Sequence, residues 1–371
     1  MEVAIAAGGT AGHINPALAL AEELRDRGHH VTFFGQSAKL EGTLVPAAGF
    51  DFVPIRVSGI DRSRPWTAVT ALARLRSARR TVGTHFGTHG APDVAVGFGA
   101  YVEMPLLEWC AAHDVPVMLH EQNSVPGLAN KTLARKAQVV AVALPQAVRS
   151  LEPHAGPGTN IVVTGNPVRR SVIEGDARRG RETYGVPDDA TLLVTFGGSL
   201  GAKAINEAMA GLKQDLLGRP NLHVVHATGK ASYEEVVGAL RLSADEARRW
   251  HVVPYIENMG DVLAAADLVV SRAGASSIAE IAALAVPSIL VPYPYATADH
   301  QTVNAQFLVG AHAAESVADD ELSRPEFRRL LLGLLDDEGA RAAMRHAAEG
   351  LAQQQAAGHL ADQVERLGPS C

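Results

Sequence analysis

The sequence predicts an α/β chain made of two doubly wound parallel-sheet halves, on three observations. Short apolar runs alternate with longer helical patterns over most of the 371 residues, as in strands joined by crossover helices. A strand and "GGTAGH" (Gly8–His13) open the first half, and a strand and "GGSLGA" (Gly197–Ala202) open the second. Between them "TGNPVRRSV" (Thr164–Val172) holds Asn166-Pro167, a turn former at the natural boundary. Two Rossmann-like domains facing a cleft is the economical arrangement.

In chain order, Val3–Ala7, Val31–Gly35, Val94–Val96, Val117–His120, Val139–Ala143 and Ile161–Thr164 read as buried parallel strands. Leu192–Phe196, His223–Ala227, Val252–Pro254, Leu268–Ser271 and Ser288–Val291 form a second series. Pro16–Arg27, Lys203–Leu212 and Ser276–Leu284 carry helical patterns, and Glu326–Leu367 is helix- and alanine-rich. The expected domains are 1–164 and 165–350. Residues 351–371 form a helix that packs on the outside or returns to the N-terminal domain.

Apolar residues make up 47% and charged residues 20%, a globular balance. A net charge of −7 argues against a nucleic-acid partner. Cys110 and Cys371 are too few for a disulfide framework or a cysteine zinc site. No signal peptide is read after Met1, and the apolar stretch 281–296 is too short to span a bilayer and holds three prolines. No metal-binding pattern is present, and no cofactor is expected.

The candidate sites are loops at strand ends. In "GGTAGHINP", Gly8, Gly9 and Gly12 allow a sharp turn and close approach, and the helix that follows offers unpaired N–H groups to an anion. His13 beside them has the chemistry of a general base; a simple cap is the alternative. "GFGAYVEMP" (Gly97–Pro105) is a second glycine turn, and "HEQNSVPGLAN" (His120–Asn130) gathers groups suited to reading hydroxyls. "GGSLGAKAIN" repeats the anion-site logic with Ser199. In "SRAGASSIAEIAALAVPSILVPYP", Ser276 and Ser277 lie at a helix start, and Glu280 suits a ribose diol. "ADHQTVN" (Ala298–Asn304) adds Gln301.

With these landmarks in order, the chain resembles the MurG family of N-acetylglucosaminyltransferases over almost its whole length. The resemblance implies a GT-B fold and transfer of N-acetylglucosamine from UDP-N-acetylglucosamine, with inversion. The acceptor would be undecaprenyl-pyrophosphoryl-N-acetylmuramoyl-pentapeptide, and the reaction a step of peptidoglycan synthesis, hence of cell-wall growth, cell shape and division. The N-terminal domain would bind acceptor and membrane, and the C-terminal domain the donor. Donor contacts are implied at Thr10, Ala11, Gly12, Asn123, Arg169, Ser199, Ile256, the run Ala275, Ser276, Ser277, Ile278, Ala279, Glu280, and Gln301. Acceptor contacts are implied at Gly8, Gly9, Gly97, Gly99 and Tyr101. Ala11 stands where the family usually has glycine, and "GAYVEMP" where it has "GGYVSGP". Glu103 near an anionic acceptor either points away or alters acceptor handling.

An attacking C4 hydroxyl must lose its proton, so a base is needed; His13 is the first candidate and Glu121 the reserve. Asn123 and Gln301 would hold the transferred sugar, while helix N-termini near Ser199 and Ser276 stabilise the departing UDP. "RPWTAVTALARLRSARR" (Arg64–Arg80) sets Trp66, Val69 and Leu72 on a helical face near Arg76, Arg79 and Arg80. That fits peripheral binding to an anionic membrane at the cytoplasmic face, or else a core-packed helix with a solvated basic side. The competing functions are a GT-B transferase with another lipid or small-molecule acceptor, and a non-catalytic nucleotide-sugar-binding protein. A nicotinamide oxidoreductase lacks its G-x-G-x-x-G here.

Overall fold

A computed structural model describes residues 1–58, 67–198, 201–351 and 353–369, with the backbone alone for 67–69. The chain divides into two compact units: Met1–Arg169 with Gln354–Cys371, and Arg170–Gln353. The division falls inside the Thr164–Val172 turn.

In the first unit the strands are β1 (Glu2–Ala6), β2 (His30–Gly35), β3 (Asp51–Pro54), β4 (Val94–Gly97), β5 (Val117–Glu121), β6 (Val139–Val142) and β7 (Asn160–Val163). They form one sheet in the order β3-β2-β1-β4-β5-β6-β7, with every pairing parallel. The second unit holds β8 (Thr191–Phe196), β9 (Leu222–Ala227), β10 (Trp250–Val253), β11 (Leu268–Ser271), β12 (Ser288–Leu290) and β13 (Ala314–Ser316). Their order is β10-β9-β8-β11-β12-β13, again all parallel. The strand order reverses beside β1 in one sheet and beside β8 in the other. Loops at the carboxyl ends of those strands therefore part and leave room for a ligand.

The apolar runs become strands because both faces of each sheet are covered. Val3 and Ile5 point to one face, against Ile14, Leu18 and Leu24. Ala4 and Ala6 point to the other, against Val82, Phe86, Leu106 and Leu107. Burying one such leucine contributes about 1.5–3 kcal/mol. The edge strands β3 and β13 escape the sequence pattern because "DFVP" and "AES" are short and only partly buried.

The helices that matter for the site are α1 (Ala11–Asp26), α2 (Glu41–Ala47), α3 (Thr67–His89), α4 (Glu103–Ala111), α5 (Leu128–Leu133), α6 (Lys203–Gly211), α7 (Ala275–Ala283), α8 (His300–Val309) and α9 (Ala356–Leu367). Helix α1 begins five residues before the expected Pro16, because the Thr10 carbonyl accepts from the N–H groups of His13 (3.1 Å) and Ile14 (3.2 Å) and closes an earlier turn. Pro16 then sits inside the helix at the cost of one backbone bond. His13 consequently belongs to the first turn of α1. Helix α9 returns to the first unit, with Leu360, Ala361 and Val364 in the cluster that holds Leu24. The Arg27 guanidinium fastens it, donating to Asp362 (2.7 Å), Glu365 (2.9 Å) and the Gly358 carbonyl (3.2 Å).

Helix α3 buries Ala71, Ala78, Val82 and Phe86, while Leu72, Arg76 and Arg80 face outward. Leu72 is 49% exposed, and Arg79 pairs with Glu108 at 3.8 Å. Trp66 lies outside the described residues, as does the Val69 side chain. Among the described residues no helix is long and apolar enough to cross a membrane.

At the amino end of the first sheet, His30 contacts Glu2 through Nδ1 (2.6 Å) and Asp51 through Nε2 (3.0 Å), tying β2 to both neighbours. The hydrogen bond to Glu2 foremost raises the imidazole pKa above its ordinary value near 6.5, against a smaller lowering by burial. A raised folded-state value means that this stabilisation is complete below about pH 6.5 and fades as pH climbs through the folded value. The thermal midpoint of wild type should therefore exceed that of His30→Gln at pH 6, with the gap closing by pH 8.5. Calorimetric curves that run parallel across that range would remove the ion pairs from the account.

Candidate functional site

The loop after β1 runs over a buried carboxylate. Glu41 of α2 is 0% exposed and accepts from the N–H groups of Gly9 and Gln36, both at 3.2 Å. Thr10 then starts α1 with no side-chain cap, and its hydroxyl pairs with His13 Nδ1 at 3.1 Å. When Nδ1 holds the ring proton and donates it to Thr10, Nε2 carries the lone pair that a base needs.

The His13 ring lies on the loop after β4. Gly99 has φ +86, and a Cβ there would stand 3.2 Å from His13 Cδ2 and 3.4 Å from Nε2. Only glycine fits both the left-handed backbone and that contact. Tyr101, 41% exposed, projects from the same loop. Beneath it Glu103, 0% exposed, accepts from the Gly99 N–H at 2.5 Å. Glu103 thus points into the fold, beneath the loop rather than toward its outer surface.

The third loop follows β5 and is organised by Glu121, 2% exposed. One oxygen accepts from the Asn123 backbone (3.0 Å) and side chain (3.3 Å); the other accepts from Gly127 N–H (2.9 Å) and Asn130 Nδ2 (2.8 Å). Asn130 Nδ2 also lies 3.8 Å from the Cβ position of Gly99, so His13, Gly99, Asn130, Glu121 and Asn123 form one contiguous cluster, with Asn130 and Glu121 buried beneath. Four donors engage Glu121, so its carboxylate braces the loop. His120 is fully buried beside it. Burial lowers its pKa to about 4, so the ring is neutral and donates from Nε2 to the Gly165 carbonyl (3.1 Å) while Nδ1 accepts from Gln122 (3.1 Å). Arg169 is held by Glu22 through Nε (3.0 Å) and Nη2 (2.6 Å), so reaching a donor requires breaking that pair.

In the second unit, the loop between β8 and α6 turns at Gly201, φ +79, which packs so tightly on the Thr228 carbonyl that no Cβ fits. Asn206 anchors the loop, donating to that carbonyl (3.0 Å) and accepting from His226 Nε2 (2.9 Å). Burial lowers the His226 pKa to about 4. Neither α6 nor α7 carries a side-chain cap, so their first N–H groups and dipoles suit an anion. Ser199 lies outside the described residues.

Helix α7 brings Ala275, Ser276, Ser277, Ala279 and Glu280 to partly exposed positions, whereas the side chains of Ile278 and Ile256 sit in the core. Those two can meet a ligand only through their backbone. Arg272, which the sequence reading passed over, donates to the carbonyls of Val291 and Pro292, both at 3.2 Å. Next to them Gln301 Oε1 accepts from Tyr293 N–H at 2.9 Å. These bonds hold Gln301 against the loop after β12. Ala298 and Asp299, with φ +51 and +53, form a strained turn just before it. Among the described residues, no group of three His, Cys, Asp or Glu side chains could hold a metal ion. Glu41 and Arg272 carry no local sequence signal, because Glu41 meets Gly9 and Arg272 meets the loop after β12, each many residues away.

The models of the glycosyltransferase family 28 N-terminal and C-terminal domains match residues 3–142 and 191–364. The chain is 37% identical over 374 residues to the UDP-N-acetylglucosamine–N-acetylmuramyl-(pentapeptide) pyrophosphoryl-undecaprenol N-acetylglucosamine transferase of Desulforudis audaxviator, covering 99% of this chain and 98% of that one. The enzyme of the same name from Chlorobium phaeobacteroides is 37% identical, with 100% of each chain covered. Among solved structures, MurG of Acinetobacter baumannii superposes with a TM-score of 0.73 at 28% identity, over 98% of this chain and 99% of that one. A kitacinnamycin glycosyltransferase shares the fold at 18% identity, over 99% of each chain, with a TM-score of 0.71.

Removing the Glu121 carboxylate strands donors of Gly127, Asn123 and Asn130 in a largely buried place. Glu121→Ala should lose roughly 3 kcal/mol of stability, since each buried unpaired donor costs about 1–3 kcal/mol. Urea unfolding measures this; a loss under 1 kcal/mol would mean that water enters the loop.

Proposed function

The chain belongs to the family of UDP-N-acetylglucosamine–N-acetylmuramyl-(pentapeptide) pyrophosphoryl-undecaprenol N-acetylglucosamine transferases, and on that premise we propose its reaction. It moves N-acetylglucosamine from UDP-N-acetylglucosamine to the C4 hydroxyl of undecaprenyl-pyrophosphoryl-N-acetylmuramoyl-pentapeptide, inverting the sugar carbon. The observation that carries the reading is His13, seated on Gly99 with Nδ1 against Thr10, in a chain that matches this family end to end.

As the C4 oxygen attacks the anomeric carbon, the bond from that carbon to the UDP oxygen breaks and His13 Nε2 takes the hydroxyl proton. The N–H groups of Gly9 and Gly99 are engaged by Glu41 and Glu103, so acceptor diphosphate binding falls to the outer surface of these loops, aided by the dipole of α1. The N-termini of α6 and α7 stabilise the negative charge that grows on UDP. Glu280 takes the ribose diol, and Asn123 and Gln301 read the transferred sugar.

The outward row Leu72, Arg76 and Arg80 of α3 meets the cytoplasmic face of an anionic membrane peripherally. There each basic side chain contributes about 1 kcal/mol, so Arg76→Glu with Arg80→Glu should weaken binding to phosphatidylglycerol vesicles at least tenfold. Cosedimentation unchanged by the pair would move the membrane contact elsewhere.

The reaction itself is tested by UDP release with a short-chain lipid I analogue. His13→Ala should lower kcat about 100- to 10,000-fold, as loss of a general base does, with UDP-N-acetylglucosamine Kd unchanged. Full turnover in the variant would remove His13 as the base. An inactive wild type that binds donor tightly would point to a different acceptor.

A further inference from the structure

We propose that Glu103 is a positioning residue for acceptor handling: from inside the fold its carboxyl fixes the Gly99 peptide, and with it the surface on which the His13 ring rests. The argument is first one of contact. Glu103 Oε2 accepts from the Gly99 N–H at 2.5 Å and lies 2.5 Å from the Cβ position of Gly97, so the carboxyl fills the space under both glycines. Its backbone N–H donates to the Ala100 carbonyl at 3.3 Å. The other face of Gly99 carries the His13 ring. A shift of the Glu103 carboxyl therefore moves the Gly99 peptide, and a shift of that peptide moves the ring. The role rests on the transferase reading above, because it concerns the same base.

The chemistry of the prop adds a signature. Glu103 is 0% exposed, and Oε1 is buried with no hydrogen-bond partner among the described residues. Burial raises its pKa to about 8, against the pull of the Gly99 N–H and with a further push from Glu121. The ionisable groups on the elements packed against α4 are the arginines and histidines of α3, His30 on β2, His120 and Glu121 on β5, and Lys131 on α5. Glu121 alone bears on the Glu103 charge, and it does so as a like charge. At neutral pH the acid is protonated and fits its site. Above about pH 8 it becomes a buried carboxylate with no cation beside it among the described residues, and the favourable response is to move toward water. The loop then loses its support.

The experiment compares wild type, Glu103→Gln and Glu103→Ala in turnover of a short-chain lipid I analogue from pH 6.5 to 9. Hydrogen exchange of the Gly99 amide is followed in parallel. Wild-type kcat/KM for acceptor should fall at least fivefold between pH 7 and 9, and Glu103→Gln, which cannot ionise, should lose that fall. Glu103→Ala should lower acceptor kcat/KM at least fivefold at pH 7, with UDP-N-acetylglucosamine Kd unchanged, and should speed Gly99 exchange at least tenfold. Glutamine in place of Glu103 should keep the amide protected at both ends of the range. A glutamine variant that retains the alkaline fall, or an alanine variant whose Gly99 amide stays protected, overturns the proposal. A wild type inert toward the acceptor at every pH overturns the transferase reading instead, and the exchange comparison then decides the role of Glu103 alone.

Discussion

The site of the first unit depends on backbone N–H groups in glycine-rich loops being held from beneath by buried carboxylates. Glu41 takes Gly9 and Gln36, Glu103 takes Gly99, and Glu121 takes Asn123 and Gly127. Glycine loops are entropically costly to order, and a hydrogen bond from a loop N–H to a buried carboxyl oxygen orders them. The three acids lie below the loops, at the carboxyl ends of a sheet whose strand order reverses beside β1. Their oxygens face inward, which leaves the outer surface to His13, Tyr101 and the start of α1.

The second unit reaches the same end without acids. There the Thr228 carbonyl, Asn206 and a neutral His226 hold the loop before α6, and Arg272 holds the carbonyls after β12. Arg272 gains the Asp319 carboxylate as a partner, which compensates its own burial.

Much of this was legible in the sequence, and what was not has a common cause. Buried parallel strands announce themselves as continuous apolar runs, so β1, β5 and β8 were read from Val3–Ala7, Val117–His120 and Leu192–Phe196. Edge strands need only one paired side and little burial, so Asp51–Pro54 and Ala314–Ser316 left no such run. The glycine turns were legible because a φ near +86 at Gly99 admits few other residues. That Glu41 supports the first turn was not, since Gly9 and Glu41 are 32 residues apart and no periodicity links them. Glu121 shows the limit most clearly. An acid next to His120 and Asn123 reads as chemistry, and only the four donors around it reveal a brace.

Loop order rests on different supports in the two units. In the first unit it rests on the buried carboxyl groups of Glu41, Glu103 and Glu121. In the second it resides partly in backbone geometry: Ala298 and Asp299 both hold positive φ, at about 1–3 kcal/mol each. Such a turn persists because its surroundings over-determine it, here through Gln301 on Tyr293 N–H and Thr302 on the Asp299 carboxylate at 2.7 Å. Strain of that kind is insensitive to pH and responds instead to a ligand that replaces one of those bonds. The Gln301 loop is therefore open to a ligand that takes over the Tyr293 N–H, a consequence of how this unit satisfies its own backbone.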